Sequence, residues 1–255
     1  MKNIKLEQFD AVLFDLDGTV YYGSKIIPGA NEAITFCKEH GKQVYFTTNN
    51  STKTRQQIYE RLMKMGVICE LSEVLTSGYL AAQYAKKTGM KDIYIFGSED
   101  LKSEFRNLGV EVNESEDAEN LLIGFNTSMT YDGLTSAIQV ALHAKTIIAC
   151  NRERLFPGEG ARLMPGCGAM TAPIEWCVNR QADLIIGKPN TYFVDYLVES
   201  YGYDAGRILV IGDSYESDIA MAKAAGTKAI LLNKKHRDDV VTLDDIGQIV
   251  EYIEH

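Results

Sequence analysis

Residues 11–19 read AVLFDLDGT, a short apolar run that ends in two aspartates, a glycine and a threonine. Such a run is typical of a parallel strand buried on both faces, and it predicts that Asp15 stands where the strand ends. Residues two apart on an extended backbone point to the same face, so the carboxylates of Asp15 and Asp17 address one volume. Two like charges this close repel each other, and an all-oxygen site of this kind favours a hard cation such as Mg²⁺.

Three further apolar runs also end in polar residues. They are residues 43–46 before TTNNS at 47–51, residues 183–186 before GKP at 187–189, and residues 208–211 before GDS at 212–214. In open α/β sheets ligands bind outside the carboxyl ends of the strands, so the clusters are expected to converge on one site. Taken singly, each cluster also fits a plainer interpretation, a solvated turn or a helix N-terminus with favourable polar residues.

The middle of the chain carries a strand and helix pattern of its own. Strand-like runs cover residues 93–96, 121–125 and 146–150, and helical periodicity covers residues 100–108, 132–144 and about 169–179. This pattern predicts a second α/β domain inserted into the first. We expect residues 1–77 and 184–255 to form the core and residues 78–183 to form the insertion.

Composition excludes several classes of protein. The 255 residues carry a formal net charge of −9, and no Lys/Arg cluster is long enough to follow a nucleic acid backbone. No apolar run reaches the length of a membrane span. The five cysteines are scattered and show neither zinc-site spacing nor a Cys-x₅-Arg phosphatase loop, which favours a reducing cytoplasm. The sequence leaves open whether the chain forms a homo-oligomer.

The four clusters together resemble the motifs of the haloacid dehalogenase superfamily. The first motif resembles residues 15–19, the second residues 48–51, the third Lys188-Pro189, and the fourth residues 212–218. The stretches at 21–30, 76–78 and 165–168 are similar to the phosphatase branch that includes NagD and p-nitrophenylphosphatase, which carries a large inserted cap. The resemblance implies a Rossmann-like core with a parallel sheet, and it implies that the insertion is the cap.

The resemblance also implies a role for each motif residue. Asp15 would be the nucleophile that forms an aspartyl-phosphate, and Asp17 would be the general acid and base. Thr48 and the backbone N–H of Asn49 would bind phosphate oxygens, and the ammonium of Lys188 would pair with Asp15 and with the transferring phosphoryl group. Mg²⁺ would be held by Asp15, by the backbone carbonyl of Asp17 and by the side chain of Asp213. Asp218 would act on the metal site indirectly, through the groups that bind the ion. The list of implied metal-site residues is therefore Asp15, Asp17, Asp213 and Asp218.

Substrate identity is the least determined property. The resemblance implies small phosphomonoesters such as sugar phosphates, nucleoside monophosphates and p-nitrophenyl phosphate. The sequence departs from its relatives at residues 151–153, which read NRE where many of them show Asn-Pro-Asp; Arg152 and Arg162 are candidates for contact with an anionic substrate. A phosphotransferase or mutase that uses the same intermediate, and a non-catalytic sensor of phosphometabolites, remain alternatives.

Overall fold

The computed structural model describes residues 4–157 and 162–254. The chain folds into two compact units. The first unit consists of Met1–Thr48, Ile58–Leu75 and Lys188–His255, and the second of Asn49–Gln57 and Thr76–Gly187. None of the described helices is long and apolar enough to cross a bilayer.

Strands and helices alternate along most of the described chain. The strands are β1 Ala11–Asp15, β2 Tyr21–Tyr22, β3 Lys25–Ile26, β4 Gln43–Thr48, β5 Val74–Thr76, β6 Ile93–Phe96, β7 Asn120–Ile123, β8 Thr146–Ala149, β9 Leu155–Pro157, β10 Leu163–Pro165, β11 Leu184–Ile185, β12 Ile208–Gly212, β13 Lys228–Leu232 and β14 Val241–Leu243. The α-helices are α1 Ala30–Glu39, α2 Arg55–Lys64, α3 Ser77–Thr88, α4 Glu99–Asn107, α5 Tyr131–His143, α6 Gly168–Val178, α7 Tyr192–Tyr201, α8 Ala220–Ala225 and α9 Ile249–Glu254.

The first unit contains a six-stranded sheet in the order β14-β13-β12-β1-β4-β5. Strand β1 pairs in parallel with β12 on one side and with β4 on the other, and all five of its residues are buried. A strand covered on both faces needs apolar side chains in both directions, which explains the run at 11–14. Val12 and Phe14 pack on one face with apolar residues of α1, α2 and α9. Asp15 therefore ends a central strand.

The second unit contains a four-stranded parallel sheet in the order β11-β8-β7-β6. One core of this unit joins residues of β6, β7 and β8 to apolar residues of α5 and α6, among them Ala137, Val140 and Ile174. Strands β9 and β10 form a separate antiparallel ribbon. Phe156 of this ribbon meets Phe125 edge to face, with ring centroids 5.6 Å apart.

The predicted fold class, α/β with parallel sheets, is confirmed by this architecture and by the related structures reported below. One strand differs from its expected place. The run at 183–186 was expected to form a strand of the core sheet. Instead, Leu184–Ile185 pairs with Ile148 and Ala149 of β8 and so belongs to the sheet of the second unit. A two-residue strand carries too little pattern to indicate which sheet it joins. Lys188 is the first residue of the returning segment of the first unit.

Candidate active site

Asp15 is a buried carboxylate at the carboxyl end of the central strand β1. In the parallel pairing of β1 with β4, Asp15 lies opposite Thr47. Thr48, which follows Thr47 and ends β4, is also buried. Burial raises the pKa of Asp15 well above its usual value, and the charges of Asp218 and Asp213 raise it further, while Lys188 opposes the shift. Nearby positive charge therefore favours the ionised form of Asp15 against the effect of burial.

Lys188 supplies part of that charge. Its side chain is 2% exposed, and its ammonium donates to Oδ1 of Asp15 and, at 2.7 Å, to Oδ1 of Asp218. Burial lowers the pKa of Lys188, but the two carboxylates outweigh this effect and raise the pKa above its usual value. A lysine held in this way stays protonated and fixes two acids from distant parts of the chain.

Asp213 and Asp218 follow strand β12 on the other side of β1. Residues 215–219 form a single π-helical turn, and Asp218 accepts a hydrogen bond from the backbone N–H of Ser214 at 3.2 Å. One carboxylate oxygen each of Asp15, Asp213 and Asp218 lie within 4.8 Å of one another. Burial, with the charge of Asp218, raises the pKa of Asp213 to about 7. The three acids thus form one compact cluster.

Asp17 stands beside this cluster but is not one of its three carboxylates. The residue is exposed, although desolvation by the surrounding protein raises the pKa of its carboxyl group. Its Oδ2 accepts a hydrogen bond from the hydroxyl of Tyr21 at 3.3 Å, and the guanidinium of Arg61 stacks 4.2 Å from the centre of the Tyr21 ring. The structure thus places two residues near Asp17, Tyr21 and Arg61, for which the sequence indicated no role.

Among the residues predicted to act in catalysis, phosphate binding or metal binding, Asn49 alone falls outside the first unit. It is the first residue of the segment Asn49–Gln57 of the second unit. Its carbonyl oxygen accepts from Ser77 Oγ at 2.8 Å and from Asn151 Nδ2 at 2.7 Å, both in the second unit. The structure therefore brings together Asp15, Lys188, Asp213 and Asp218 by direct contact or proximity, places Asp17 and Thr48 at the adjacent strand ends, and assigns Asn49 to the other unit.

Gly18 is required where it stands for two reasons. Its φ of +95° is a left-handed conformation, and a Cβ atom there would overlap the carboxylate of Asp213. We expect Gly18→Ala to cost about 1–2 kcal/mol in backbone strain and to displace Asp213, lowering kcat on the order of 100-fold. Gly41→Ala is the matched control, because Gly41 has a φ of +71° but nothing within 4 Å of its Cβ position.

Thermal unfolding and steady-state kinetics of the two glycine variants separate these effects. Both variants should lose stability to a similar extent, and only Gly18→Ala should lose most of its activity. Equal activities in the two variants would show that the overlap with Asp213 is relieved without consequence for the site.

Sequence comparison identifies the family. The model of haloacid dehalogenase-like hydrolases matches residues 12–111, and a second model of HAD-hydrolase-like sequences matches residues 185–247. Sugar-phosphatase AraL of Bacillus subtilis is 33% identical over 223 residues, which cover 87% of this chain and 82% of that protein. The chain belongs to the haloacid dehalogenase-like hydrolases. The family predicted from the sequence is thus confirmed, and with it the enzyme class, a hydrolase of phosphoric monoesters.

Other relatives of this haloacid dehalogenase-like hydrolase extend over nearly its whole length. The acid sugar phosphatase of Staphylococcus aureus is 30% identical over 242 residues, 94% of this chain and 91% of that protein. The crystal structure of 4-nitrophenylphosphatase from Thermotoga maritima superposes with a TM-score of 0.90 at 29% identity, covering 97% of this chain and 98% of that one. Likeness over the full length means that both units are shared with these phosphatases.

Hydrolases of this family generally use a divalent metal ion, and the acidic cluster fits one. Asp15, Asp213 and Asp218 bring three negative charges into a confined volume, and Lys188 offsets one of them. Burial raises the pKa of both Asp15 and Asp213, and the neighbouring carboxylates raise both values further. A divalent cation with oxygen ligands would offset that excess.

Proposed function

We propose that the chain is a Mg²⁺-dependent phosphatase of small phosphomonoesters that works through an aspartyl-phosphate on Asp15. The observation that carries this proposal is the pairing of buried Asp15 with Lys188, which in turn binds Asp218. A carboxylate fixed in this way at a strand end is oriented for attack, and the lysine charge is available to an incoming phosphoryl group.

The first half of the reaction transfers the phosphoryl group to the enzyme. An Oδ atom of Asp15 forms a bond to phosphorus while the bond between phosphorus and the ester oxygen breaks. Asp17 donates a proton to the departing alkoxide, which leaves as an alcohol. The raised pKa of Asp17 supports this role because a larger fraction of the carboxyl groups is then protonated near neutral pH. Tyr21 holds Asp17 in position through its hydroxyl.

The second half returns the enzyme to its starting state. Asp17, now a carboxylate, takes a proton from a water molecule whose oxygen attacks phosphorus. The bond between phosphorus and Asp15 breaks, and inorganic phosphate leaves with the Asp15 carboxylate restored. Lys188 stays paired with Asp218 throughout, so its charge remains at the phosphoryl group in both steps.

The remaining groups would hold the metal ion and the phosphate. Asp15 and Asp213, with the backbone carbonyl of Asp17, would hold Mg²⁺, and Asp218 would support it. When bound, the ion offsets negative charge on the phosphoryl oxygens. Thr48 and the backbone N–H of Asn49 would donate hydrogen bonds to those oxygens.

We further propose that residues 78–183, which make up most of the second unit, are a cap that selects the substrate and is inserted into a core of residues 1–77 and 184–255. Its relatives are named as sugar phosphatases and p-nitrophenylphosphatases, which supports sugar phosphates as the substrate class. The cytoplasm is the proposed location, because all five cysteines are free.

Phosphate release from a panel of monoesters tests this function. Sugar phosphates, nucleoside monophosphates and p-nitrophenyl phosphate are each incubated with metal-stripped protein, with and without added Mg²⁺. We expect turnover only with Mg²⁺, and the highest kcat/KM among the sugar phosphates. Asp15→Asn protein purified in parallel shows how much phosphate comes from contaminating phosphatases.

Two outcomes would favour other functions. Phosphate that appears only after a second hydroxyl compound is added would indicate a phosphotransferase. Ligand binding without turnover of any ester, with or without metal, would indicate a sensor and would contradict the proposed hydrolysis.

A further inference from the structure

Asp17 stands on a tight turn that leads from β1 to β2. The carbonyl oxygen of Leu16 accepts from the backbone N–H of Val20 at 2.9 Å and from that of Tyr21 at 3.1 Å. Gly18 donates its N–H to the carbonyl oxygen of Tyr21 at 2.8 Å, which closes the turn from the other side. These bonds fix the backbone around Asp17. Its side chain is exposed, so a further contact is needed to hold one orientation of the carboxyl group.

Tyr21 supplies a contact to one oxygen of this carboxyl group. Its ring is fully buried in the apolar core of the first unit, and its hydroxyl donates to Oδ2 of Asp17 at 3.3 Å. An aromatic ring packed in a core keeps one rotamer, so its hydroxyl stands at a nearly fixed point. Oδ1 of Asp17 has no hydrogen-bond partner among the residues that the structure describes. The two oxygens of Asp17 therefore have different surroundings.

Arg61 of helix α2 holds the hairpin that carries Tyr21. This hairpin, residues 21–26, consists of two strands of two residues each, and so short a hairpin has little stability of its own. The guanidinium of Arg61 lies 4.2 Å from the centre of the Tyr21 ring and donates to the carbonyl oxygen of Gly23 in the turn of the hairpin. A single side chain thus binds both the aromatic ring and the turn.

We propose that Tyr21 and Arg61 are positioning residues that leave Oδ1 of Asp17 as the atom that transfers protons. This inference rests on the proposed function, in which Asp17 is the general acid and base. While the Tyr21 hydroxyl donates to Oδ2, the proton of the neutral carboxyl group resides on Oδ1. That proton passes to the ester oxygen as the bond between phosphorus and this oxygen breaks. In the second step Oδ1 takes a proton from the attacking water, and Arg61 keeps the Tyr21 ring in place throughout.

Two classes of ester separate this role from a merely structural one. A structural role of Tyr21 or Arg61 would lower the rate of every ester to a similar extent. Proton donation matters only where the leaving oxygen is strongly basic, since a sugar alkoxide needs a proton to leave and p-nitrophenolate is stable as an anion. Loss of the positioning contact should therefore affect sugar phosphates selectively.

Steady-state kinetics of Tyr21→Phe with a sugar phosphate and with p-nitrophenyl phosphate tests the proposal. The value of kcat/KM reports on the steps up to release of the alcohol. It should fall roughly ten- to hundredfold for the sugar phosphate and less than about twofold for p-nitrophenyl phosphate. For p-nitrophenyl phosphate kcat should fall instead, because hydrolysis of the phosphoenzyme also uses Oδ1 of Asp17. A burst of p-nitrophenolate before slow turnover would reveal that second step.

Variants of Arg61 test the other contact. Arg61→Met should give the same selective loss at a smaller size, roughly three- to tenfold, because the hydroxyl of Tyr21 remains but the hairpin is held less firmly. Arg61→Lys should recover most of this loss, since its ammonium can lie over the same ring. Arg61 is only partly buried, so its variants test the proposal even where thermal unfolding shows that Tyr21→Phe is destabilised.

Tyr45→Phe and Lys64→Met are the matched controls. Tyr45 is also a buried tyrosine of the first unit, but its hydroxyl pairs with that of Tyr203 at 3.1 Å. Lys64 is an exposed cation at the end of the same helix as Arg61. Both control variants should keep the wild-type kcat/KM for both esters.

Three results would count against the proposal. An equal loss for both esters in Tyr21→Phe and Arg61→Met, or no loss for either ester, would overturn the positioning role while the phosphatase activity stands. A selective loss in Tyr21→Phe alone would remove Arg61 from this role. A wild type that hydrolyses neither ester would overturn the proposed function, and this inference with it.

Discussion

The Asp15→Asn protein is expected to retain less than about one ten-thousandth of the wild-type rate of phosphate release, even with Mg²⁺ saturating. An amide cannot replace the carboxylate as the group that forms a bond to phosphorus. The fold should survive, because Lys188 keeps Asp218 as a partner and no large group is removed. The measurements are steady-state kinetics and mass spectrometry of acid-quenched protein, in which the wild type alone should carry a phosphoryl group.

Asp10→Asn is the matched control for this variant. Asp10 immediately precedes the same strand, β1, and its carboxylate forms an exposed ion pair with Arg207. We expect Asp10→Asn to keep wild-type kinetics, because the change lies at the amino end of the strand. Appreciable turnover by Asp15→Asn, or a phosphoryl group trapped on it, would rule out Asp15 as the nucleophile.

Lys188→Met is expected to damage both activity and stability. The change leaves Asp15 and Asp218 buried without their common cation, and breaking a buried ion pair of this kind costs about 3–5 kcal/mol. The loss of charge next to the phosphoryl group should lower kcat a further 10²- to 10³-fold, roughly the effect of removing one strong electrostatic donor. Chemical denaturation in metal-free buffer and steady-state kinetics measure the two effects.

The metal dependence of stability sharpens this test. With Lys188 gone, Mg²⁺ becomes the cation that the acids share, so it should raise the melting temperature of Lys188→Met more than that of the wild type. Lys223→Met is the control, because Lys223 pairs with Asp239 on the surface and should matter little for either property. A Lys188→Met protein as stable as the wild type without metal would contradict the role given to this ion pair.

Many of the strands and helices could be predicted from the pattern of apolar residues in the sequence. The apolar run at 11–14 became β1, and the helical periodicity at 132–144 became α5, each shifted or extended by one residue. These segments are long or buried enough for periodicity to identify them. The run at 183–186 was assigned to the wrong sheet, because the choice between two sheets depends on tertiary pairing that a two-residue strand does not encode.

The residues of the candidate site could be predicted from the sequence, but most of the contacts between them could not. The spacing of Asp15 and Asp17 was enough to predict that their carboxylates lie close together. The resemblance implied that Lys188 pairs with Asp15, from which 173 residues separate it, but nothing in the sequence indicated that the same ammonium also donates to Asp218. The hydrogen bond from the Tyr21 hydroxyl to Asp17 was not predicted, because tyrosine is common in protein cores. Only the observed geometry distinguishes Tyr21 from a residue that merely packs.

The position of Lys188 also has a consequence for how the protein is made. This residue follows Asp15 by 173 positions, so at about 5–20 residues per second the ribosome adds it roughly ten to thirty seconds after the first strand. During that interval β1 lacks its neighbour β12, and one edge of a strand with four consecutive apolar residues stays unpaired. The segment Thr76–Gly187 is complete before Lys188 is made. We therefore expect the second unit to fold first during translation, with nascent chains captured by chaperones mainly through β1.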